Sequence, residues 1–434
     1  MSPLTESDLP VIEMVRPRWG NPATPGSLPS VAEQALGALG VGGPRPAVAA
    51  QEIAVPVSTL PVEVREALAD AVGADHISVD PAVRAQHTRG YSTPDLLKLR
   101  AGDASDAPDA VVYPGSHDEV VAVLTLCDQH RVAVVPFAGG TSVVGGLVAA
   151  RAGMTAVIAL DVRRLDRLVA VDEVSRTATL EAGIRGPRAE ELLHGHGFTL
   201  GHFPQSYEGA SIGGYAAARS AGQSSAGYGR FDEMVVGLTL ATPRGTLHLG
   251  TAPRSAAGPD LRQLVLGSEG AFGVITSVTV QVHPVPAKRV FEGWRFESFT
   301  AGAAALRALV QDGPMPTVVR LSDEAETAIN LADPTGATTG SGGCLAIIGY
   351  EGTEADVTAR RDAITAVLTG AGGQPLGAEP GEAWRNGRYR GPYLRDPLLD
   401  AGVLVETLET VTFWSNLDRL RAAVTDALTG ALSS

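Results

Sequence analysis

The chain has 434 residues, of which 44% are hydrophobic and 19% are charged, so it is long enough for roughly two or three domains and apolar enough to fold. Its 34 Lys and Arg against 48 Asp and Glu give a formal net charge of −14. Phosphate contacts need clustered positive charge, and the sequence contains no block of Lys or Arg. This balance argues against nucleic acid as a partner.

The start of the chain and its cysteines indicate where the protein works. The N-terminus carries acid where a secretory signal carries Lys or Arg, and no uncharged apolar run reaches the roughly 18 residues of a membrane span. Cys127 and Cys344 each lie in an apolar run, so we expect both to be buried rather than to form a disulfide or act as nucleophiles. The pattern predicts an intracellular, cytoplasmic protein.

Glycine is concentrated in the middle of the chain. Of the 51 glycines, 23 lie between Gly139 and Gly273, without the G-X-Y repeat of collagen. Glycine adopts left-handed backbone conformations and lets the backbone come close to another group. We therefore expect this region to turn sharply or to approach a ligand.

The predicted elements begin after an arm. Residues 1–56 hold clusters of Pro and Gly with little periodicity, which predicts a flexible N-terminal arm. A domain over residues 57–286 follows. Its clearest unit is a strand at Ala110–Tyr113, a helix from the capping box of Ser116 and Glu119 to His130, and an apolar strand that starts at Val132. This order predicts a β-α-β unit.

Further strands are predicted for the rest of this domain. Ala156–Leu160 and Thr177–Glu181 flank a turn-rich stretch, and a hairpin is predicted for Val235–Ala241 and Thr246–Leu249. An alternating strand over Val274–Val282 ends the domain, because the glycine content drops after it.

The C-terminal domain, residues 287–434, alternates strands and helices. We predict strands at residues 289–296, 316–321, 344–350 and 403–407, and helices at residues 300–310, 354–368 and, from apolar residues at helical spacing, 417–432. This is β-α-β twice, the pattern of a ferredoxin-like sheet. Since the chain stops after the last helix, we expect this cap domain to be incomplete, without its final strand.

Three glycine clusters are the candidates for a ligand site. The first, Pro136–Ser142, directly follows a buried strand, so its N–H groups can point into one concavity and bind a diphosphate. It matches neither a Rossmann motif nor a P-loop. On its own, a strand followed by Gly-Gly-Thr-Ser is more often an ordinary tight turn.

The other two clusters cover residues 211–222 and 266–276. Small side chains in the former let a flat ring lie against the backbone or, alternatively, let a helix pack closely on a sheet. The latter is a glycine loop that leads into a strand. Each cluster is a weak signal alone, whereas three in this order are a specific one.

With these motifs, residues 111–286 resemble the FAD-binding domain of the vanillyl-alcohol-oxidase type of flavoproteins. Val318–Thr410 is similar, more narrowly, to the alkylglycerone-phosphate synthase family, which exchanges the acyl chain of acyl-dihydroxyacetone phosphate for a fatty alcohol. The resemblance implies an α+β fold: a PCMH-type FAD-binding domain of two α/β subdomains, followed by the incomplete ferredoxin-like cap domain.

The resemblance also implies which residues hold FAD. Three groups would contact the diphosphate, the ribityl and ring region, and the adenine side, respectively: Pro136, Phe137, Ala138, Gly139, Gly140, Thr141 and Ser142; Gln205, Ser206, Tyr207, Glu208, Gly209, Ala210 and Ser211 with Ala218, Arg219, Ser220 and Ala221; and Glu269, Gly270, Ala271, Phe272, Gly273, Val274 and Ile275. No histidine near Thr141 offers a covalent link, so we expect FAD to be held non-covalently.

Two arginines match the family on the substrate side. Arg395 matches its substrate-binding arginine and Arg320 an arginine needed for activity, and a guanidinium can clamp a phosphate bidentately. Without the resemblance, the better interpretation is a surface ion pair, with Asp396 and Asp323 as partners. His194, His196 and His202 lack a second ligand pair, so no metal site is predicted.

The chain also departs from the family pattern. Gln205 stands where the family has an acid, and Ala138 replaces the first of three glycines. Neither change removes a backbone donor. The chain ends before the tyrosine that serves the family as proton donor and acceptor, and before a run of histidines that faces the flavin.

Three functions therefore stay open. The favoured one is the ether-forming exchange, with acyl-dihydroxyacetone phosphate and a fatty alcohol as substrates, transient membrane contact and a homodimer as expected associations. A second is an FAD-dependent D-2-hydroxyacid dehydrogenase acting on lactate or glycolate, since the glycine clusters would bind the same cofactor. A third is an inactive, truncated flavin-binding remnant.

Overall fold

The computed structural model describes residues 9–20, 25–28, 43–250, 252, 254–330 and 342–433, together with residues 30, 33, 36 and 37. The chain forms two compact units. Unit 1 runs up to Val285 and also contains Tyr389–Val405, and unit 2 consists of Pro286–Arg388 and the chain from Glu406 onwards. The segment Tyr389–Val405, which the sequence analysis assigns to the C-terminal domain, therefore groups with unit 1.

A four-stranded sheet opens unit 1. Its strands are β1 (Ile77–Ser78), β2 (Ala110–Val112), β3 (Val132–Phe137) and β4 (Ala156–Asp161), in the order β1-β2-β4-β3. The pairs β2-β4 and β3-β4 are parallel, and helix His117–His130 connects β2 to β3. Strands β2 and β4 are fully buried, as continuous apolar runs in parallel sheets are. The predicted β-α-β unit is confirmed.

A five-stranded antiparallel sheet follows. The strands of this region are β5 (Leu168–Asp172), β6 (Thr177–Glu181), β7 (Phe198–Thr199), β8 (Val235–Thr242), β9 (Gly245–Leu249), β10 (Val274–Gln281) and β11 (His283–Pro284). The sheet order is β5-β6-β10-β8-β9, and β7 pairs with β11 alone. One apolar core joins residues of both large sheets, among them Ile158 and Val278. The predicted hairpin, β8-β9, is confirmed.

Helices lie between many of these strands in chain order. Besides His117–His130, the helices of unit 1 are Val62–Val72, Pro81–Gln86, Thr93–Arg100, Gly186–His194, Ile212–Ala218, Ser225–Tyr228, Phe231–Met234, Arg262–Val265 and Gly391–Asp400. Ser116 caps the helix His117–His130 by accepting a hydrogen bond from the Glu119 N–H. The Glu119 carboxylate accepts from the Gly115 N–H at 2.7 Å instead of from the Ser116 N–H, so only one of the two bonds of the predicted capping box forms.

Residues 14–20 are packed, although composition places them in a flexible arm. Met14 and Trp19 are buried together with Tyr91, Leu96 and Leu399. Arg16 is 2% exposed. The prediction was wrong for these residues because single apolar side chains between prolines bury themselves without any periodicity that a local pattern could reveal.

Unit 2 is built on a four-stranded antiparallel sheet. Its strands are β12 (Lys288–Phe296), β13 (Val318–Leu321), β14 (Cys344–Gly352) and β15 (Gln374–Gly377), in the order β13-β14-β12-β15. Its helices are Phe299–Asp312, Glu324–Asn330, Glu354–Gly370, Ala378–Gly387 and Leu417–Leu432. Two β-α-β units in this strand order are the ferredoxin-like arrangement that the sequence predicts.

The strand predicted at residues 403–407 is wrong. These residues have no regular structure, and the fourth strand is β15, whose sequence Gln-Pro-Leu-Gly reads as a turn. Proline is tolerated in β15 because the strand lies at the edge of the sheet. Cys127 and Cys344 are both buried and unpaired, as expected.

The described ranges contain neither a membrane-spanning helix nor a cluster of metal ligands. None of their helices is both long enough and apolar enough to cross a membrane. Within the same ranges, no three His, Cys, Asp or Glu side chains come together in a way that could hold a metal ion.

Candidate functional site

Loop 1 (Pro136–Ser142) leaves the carboxyl end of β3 with a backbone that tolerates no side chains at its centre. A Cβ atom on Gly139 would lie 1.9 Å from the carbonyl oxygen of Gly209. Gly140 has a φ of +65°, and a Cβ there would lie 2.4 Å from Cζ of Phe137. Both positions therefore require glycine, one for close approach and the other for close approach and a left-handed backbone.

Every second carbonyl group from Ala138 to Ser142 accepts a hydrogen bond from a residue outside loop 1. The Ala138 oxygen accepts from Arg185 Nη2 at 3.1 Å, and the Gly140 oxygen from Arg16 Nη2 at 2.8 Å. The Ser142 oxygen accepts from the Tyr91 N–H at 2.7 Å. In a planar trans peptide the N–H points opposite to the carbonyl, so the N–H groups that follow, on residues 139, 141 and 143, point away from these partners.

Those N–H groups are available to a ligand. Within the described ranges, no acceptor is bonded to the backbone N–H of Gly139, Gly140, Thr141, Ser142 or Val143. Several N–H groups turned the same way from a glycine loop form an anion-binding concavity. The arrangement fits the diphosphate of FAD, which is the group that the sequence predicts for loop 1.

Loop 2 (Gln205–Ser211) packs directly on loop 1. Arg185 joins them, since its Nη1 donates to the Gly209 oxygen at 3.1 Å while its Nη2 holds the Ala138 oxygen of loop 1. Ser211 begins the helix Ile212–Ala218, and its Oγ accepts from the Gly214 N–H at 3.2 Å. Loop 2 is mostly buried, with Gln205 as its exposed member.

The turn after that helix, Ala218–Ala221, is held by two side chains. Arg219 donates through Nε to the Leu266 oxygen at 2.8 Å. The Ser220 Oγ lies 2.9 Å from His202 Nε2. Burial lowers the pKa of His202 to about 3, so this imidazole is neutral near neutral pH. His202 is part of a packed loop, which is how the sequence analysis interprets it.

Loop 3 (Glu269–Gly273) closes onto loop 1. A Cβ on Gly270, whose φ is +94°, would lie 2.7 Å from Cγ of Pro136. A Cβ on Gly146 would lie 3.0 Å from Oε1 of Glu269. The three glycine clusters therefore meet in one place. Val274 and Ile275 continue the predicted set into β10, where their side chains belong to the apolar core.

The segment Tyr389–Val405 brings the predicted substrate arginine to the same unit. The rings of Tyr389 and Tyr207 are stacked 5.4 Å apart, and Tyr393 Oη donates to Glu208 Oε2 at 3.0 Å. Arg395 Nη1 donates to the Tyr91 oxygen at 2.7 Å. Tyr91 therefore bonds Arg395 through its carbonyl and loop 1 through its N–H.

Burial controls the protonation of the Tyr393–Glu208 pair. It raises the pKa of Glu208 above the usual value of 4.5, and the hydrogen bond from Tyr393 opposes that rise. The pKa of Tyr393 is raised by burial and by the neighbouring Glu208 carboxyl. The tyrosine is therefore protonated near neutral pH and donates the hydrogen bond.

Arg320 lies in unit 2, on β13. Its Nη2 is paired with Glu326 Oε1, and the two side chains are 40% and 42% exposed. Asp323, the partner that the sequence suggests, instead lies 3.4 Å from Arg421 Nη2. Arg320 therefore forms a surface ion pair, but its partner is Glu326 rather than Asp323.

Sequence reasoning missed four residues of this site. Arg16, Tyr91, Arg185 and Tyr393 contact the predicted loops or Arg395 from distant parts of the chain. A signal existed for Tyr393, which stands two residues before Arg395. Arg16 lies in a segment without periodicity, so nothing local marks it.

Comparisons with known proteins agree with this architecture. Residues 108–250 match the family described as FAD binding domain, and residues 285–431 match FAD linked oxidases, C-terminal domain. Alkyldihydroxyacetonephosphate synthase of Dictyostelium discoideum is 34% identical over 366 residues, which are 80% of this chain and 60% of that protein. The chain thus spans about 60% of the length of this curated relative.

A solved structure and a second relative extend the comparison. A crystal structure of alkyldihydroxyacetonephosphate synthase is 32% identical and superposes with a TM-score of 0.81, over 90% of this chain and 74% of the other. The mitochondrial D-lactate dehydrogenase [cytochrome] of Arabidopsis thaliana is 33% identical over 235 residues, 53% of this chain and 40% of that protein.

Proposed function

The chain belongs to the FAD-linked oxidases, in their alkyldihydroxyacetonephosphate synthase branch, and from that membership we propose that it exchanges the acyl chain of acyl-dihydroxyacetone phosphate for a fatty alcohol. FAD is its cofactor. In the proposed reaction the bond between C1 and the acyl oxygen breaks, a carboxylate leaves, and the alcohol loses its proton as its oxygen bonds to C1. The products are an alkyl ether and a fatty acid, with no net oxidation.

The observation that carries this proposal is the position of Arg395 in unit 1. The segment that contains it is fastened to loop 2 by Tyr393 and Tyr389, and its guanidinium is bonded to the carbonyl of Tyr91, whose N–H holds loop 1. A guanidinium fixed in this way is suited to bind the substrate phosphate. When bound, FAD supplies the reactive ring atom at which the exchange takes place.

The residues of this chain then have separate tasks. Loop 1 binds the diphosphate through its N–H groups, loops 2 and 3 position the rest of the cofactor, and Arg395 binds the substrate phosphate. Arg320 contributes a second cation that the activity needs. All of these assignments are part of the proposal. Their support is the meeting of the three loops and the packing of Tyr389–Val405 against loop 2.

A D-2-hydroxyacid dehydrogenase is the second candidate, and the similarity to D-lactate dehydrogenase favours it. That similarity covers 53% of the chain, whereas the synthases match 80% of it. The two functions differ in their electron balance. A dehydrogenase leaves the flavin reduced, while the exchange leaves its oxidation state unchanged.

The test uses purified protein that carries FAD. Labelled hexadecanol and acyl-dihydroxyacetone phosphate are supplied, and the ether product and the released fatty acid are quantified. We expect both in equal amounts, and we expect Arg395→Met to raise KM for the phosphate substrate by about ten- to a hundredfold, the equivalent of a charge-assisted hydrogen bond. Arg395→Lys should retain part of the affinity.

Two controls accompany this assay. Arg244→Met removes an exposed arginine from the hairpin turn of the same unit and should leave KM unchanged. In parallel, D-lactate is mixed with the protein without oxygen while the visible flavin band is recorded. If D-lactate bleaches the flavin band and no ether product forms, the proposed exchange is wrong and the protein is a D-2-hydroxyacid dehydrogenase.

Three further associations belong to the proposal. A lipid with a phosphate head group and a fatty alcohol would reach the enzyme from a membrane surface, so transient membrane contact is part of the proposal, as are a homodimer and a cytoplasmic location. Sedimentation with vesicles that contain hexadecanol tests the first, and light scattering tests the second.

A further inference from the structure

Two arginines next to loop 1 are buried without a carboxylate partner. Arg16 is 2% exposed and donates to the oxygens of Gln86, Arg89 and Gly140, each at 2.8 Å. Arg185 is 8% exposed and donates to the oxygens of Ala138 and Gly209. Within the described ranges, neither guanidinium forms an ion pair, and Arg16 Nε has no hydrogen-bond partner.

Two other buried arginines of unit 1 are neutralised. Arg89, also 2% exposed, lies 2.5 Å from Asp106, and Arg100 lies 2.5 Å from Asp400. Three acids act on these two arginines without bonding them: Asp161 on both, Asp95 on Arg16 and Glu13 on Arg185. Asp161 is already bonded to His87 at 3.0 Å and to Arg163 at 2.8 Å. Within the described ranges, these two positive charges at loop 1 therefore have no carboxylate in direct contact.

An uncompensated buried cation is costly, because the protein interior replaces only part of its hydration. Burial lowers the pKa of both Arg16 and Arg185 from the usual value, which reflects this cost. Carbonyl dipoles solvate each guanidinium, and Arg16 also lies over the rings of Tyr91 and Phe137, at 4.8 and 5.3 Å. Dipoles and rings lower the cost, but they carry no net negative charge.

The place of these charges points to their partner. Each arginine bonds a carbonyl of loop 1, and each such bond turns the following N–H, that of Gly139 or Thr141, toward the ligand side. The same two side chains thus orient the donors of the concavity and add positive charge behind them. A doubly negative diphosphate would balance both charges.

We propose that Arg16 and Arg185 are positioning residues of the FAD site, which hold the N–H groups of loop 1 toward the diphosphate and supply its counter-charge. The proposal rests on FAD as the cofactor and is independent of the reaction that the flavin serves. It also gives the packed residues 14–20 a function, since Arg16 links them to loop 1.

The test separates the diphosphate from the flavin ring. Apoprotein is titrated with FAD and with riboflavin, which lacks phosphate, for the wild type, Arg185→Met, Arg185→Lys and Arg16→Met. Arg185→Met and Arg16→Met should weaken FAD by about ten- to a hundredfold and riboflavin by less than about twofold. Arg185→Lys should recover part of the loss. The thermal stability of the Arg185→Met apoprotein is measured beside the affinities, so that a loss of folding is distinguished from a loss of diphosphate binding.

Arg84→Met is the matched control. Arg84 is 2% exposed, donates to the Pro108 oxygen at 2.6 Å, and makes no ion pair in the described part of the chain. It should leave the ratio of FAD to riboflavin affinity unchanged. Equal losses for FAD and riboflavin in Arg185→Met, or no loss of FAD affinity, would overturn the proposal. So would a wild type that binds FAD no more tightly than riboflavin. If Arg16→Met does not fold, the two Arg185 variants decide.

Discussion

Tyr393 and Glu208, 185 positions apart in the chain, are joined by a hydrogen bond of 3.0 Å from the tyrosine hydroxyl to Oε2 of the carboxyl group. This bond fastens the segment that carries Arg395 to loop 2. It is also the contact that opposes the effect of burial on the Glu208 carboxyl. This polar pair therefore helps to hold the proposed phosphate-binding arginine beside the cofactor loops, together with the stacking of Tyr389 on Tyr207.

Tyr393→Phe should destabilise the protein more at pH 8 than at pH 4. Burial raises the folded-state pKa of Glu208, so the folded protein favours the protonated carboxyl group. The contribution of this group to the free energy of unfolding is therefore fully present below the unfolded-state pKa near 4.5, and it is lost as pH rises through the folded-state pKa. Without the Tyr393 hydroxyl the folded-state pKa of Glu208 rises further, so the loss of stability at high pH becomes larger. Urea unfolding of Tyr393→Phe across this pH range measures it. Adding Glu208→Gln should abolish the pH dependence of the Tyr393→Phe effect, and its persistence would contradict this account.

Gly139→Ala should reduce both FAD affinity and stability. The added methyl group would lie 1.9 Å from the Gly209 oxygen, so loops 1 and 2 must separate, at a cost of about 1–3 kcal/mol. Gly370→Ala is the control, because a Cβ there meets nothing within 4 Å at the end of a helix. Thermal unfolding and flavin fluorescence check both variants. A Gly139→Ala protein with wild-type FAD affinity would show that loop 1 need not touch loop 2.

His202→Gln should flatten the acid side of the stability curve. The folded pKa of His202 is about 3, because burial disfavours the charged ring, against a usual value of 6.5. Between these values the unfolded state binds a proton that the folded state does not, so stability falls as pH decreases, by up to ~1.4 kcal/mol per pH unit. Unfolding from pH 7 to pH 4 gives the slope. His196→Gln, on an exposed turn, is the matched control, and an unaltered slope in His202→Gln would refute the assignment.

Arg320→Met should reduce activity far more than stability. Its pair with Glu326 is partly exposed, and such pairs contribute about 0–1 kcal/mol to folding. Arg421→Met removes an arginine of similar exposure from unit 2, paired with Asp323, and should leave the ether-forming rate unchanged. Steady-state kinetics beside thermal unfolding distinguishes the roles. Equal activity of Arg320→Met and Arg421→Met would show that Arg320 forms only a surface ion pair and has no role in the reaction.

The sequence predicts the parts of this protein that are local. The β-α-β unit around His117–His130 and the ferredoxin-like order of helices and strands follow from periodicity and capping. These features depend on residues close together in sequence, which is why patterns reveal them.

Other parts depend on contacts that no local pattern contains. Arg16 reaches Gly140 across 124 positions, and Tyr393 reaches Glu208 across 185. Strand β15 is recognisable as a strand only by its pairing with β12, since Gln-Pro-Leu-Gly has the composition of a turn. Long-range packing overrides propensity at such places.

The central claim is that loop 1 holds the diphosphate of FAD with its N–H groups while Arg16 and Arg185 hold its carbonyls. A crystal structure of the protein with FAD tests it most directly. The account predicts diphosphate density within hydrogen-bond distance of the N–H groups of Gly139 and Thr141, with both arginine contacts retained. Density for the diphosphate elsewhere, or a loop 1 whose carbonyls face the ligand, would contradict it.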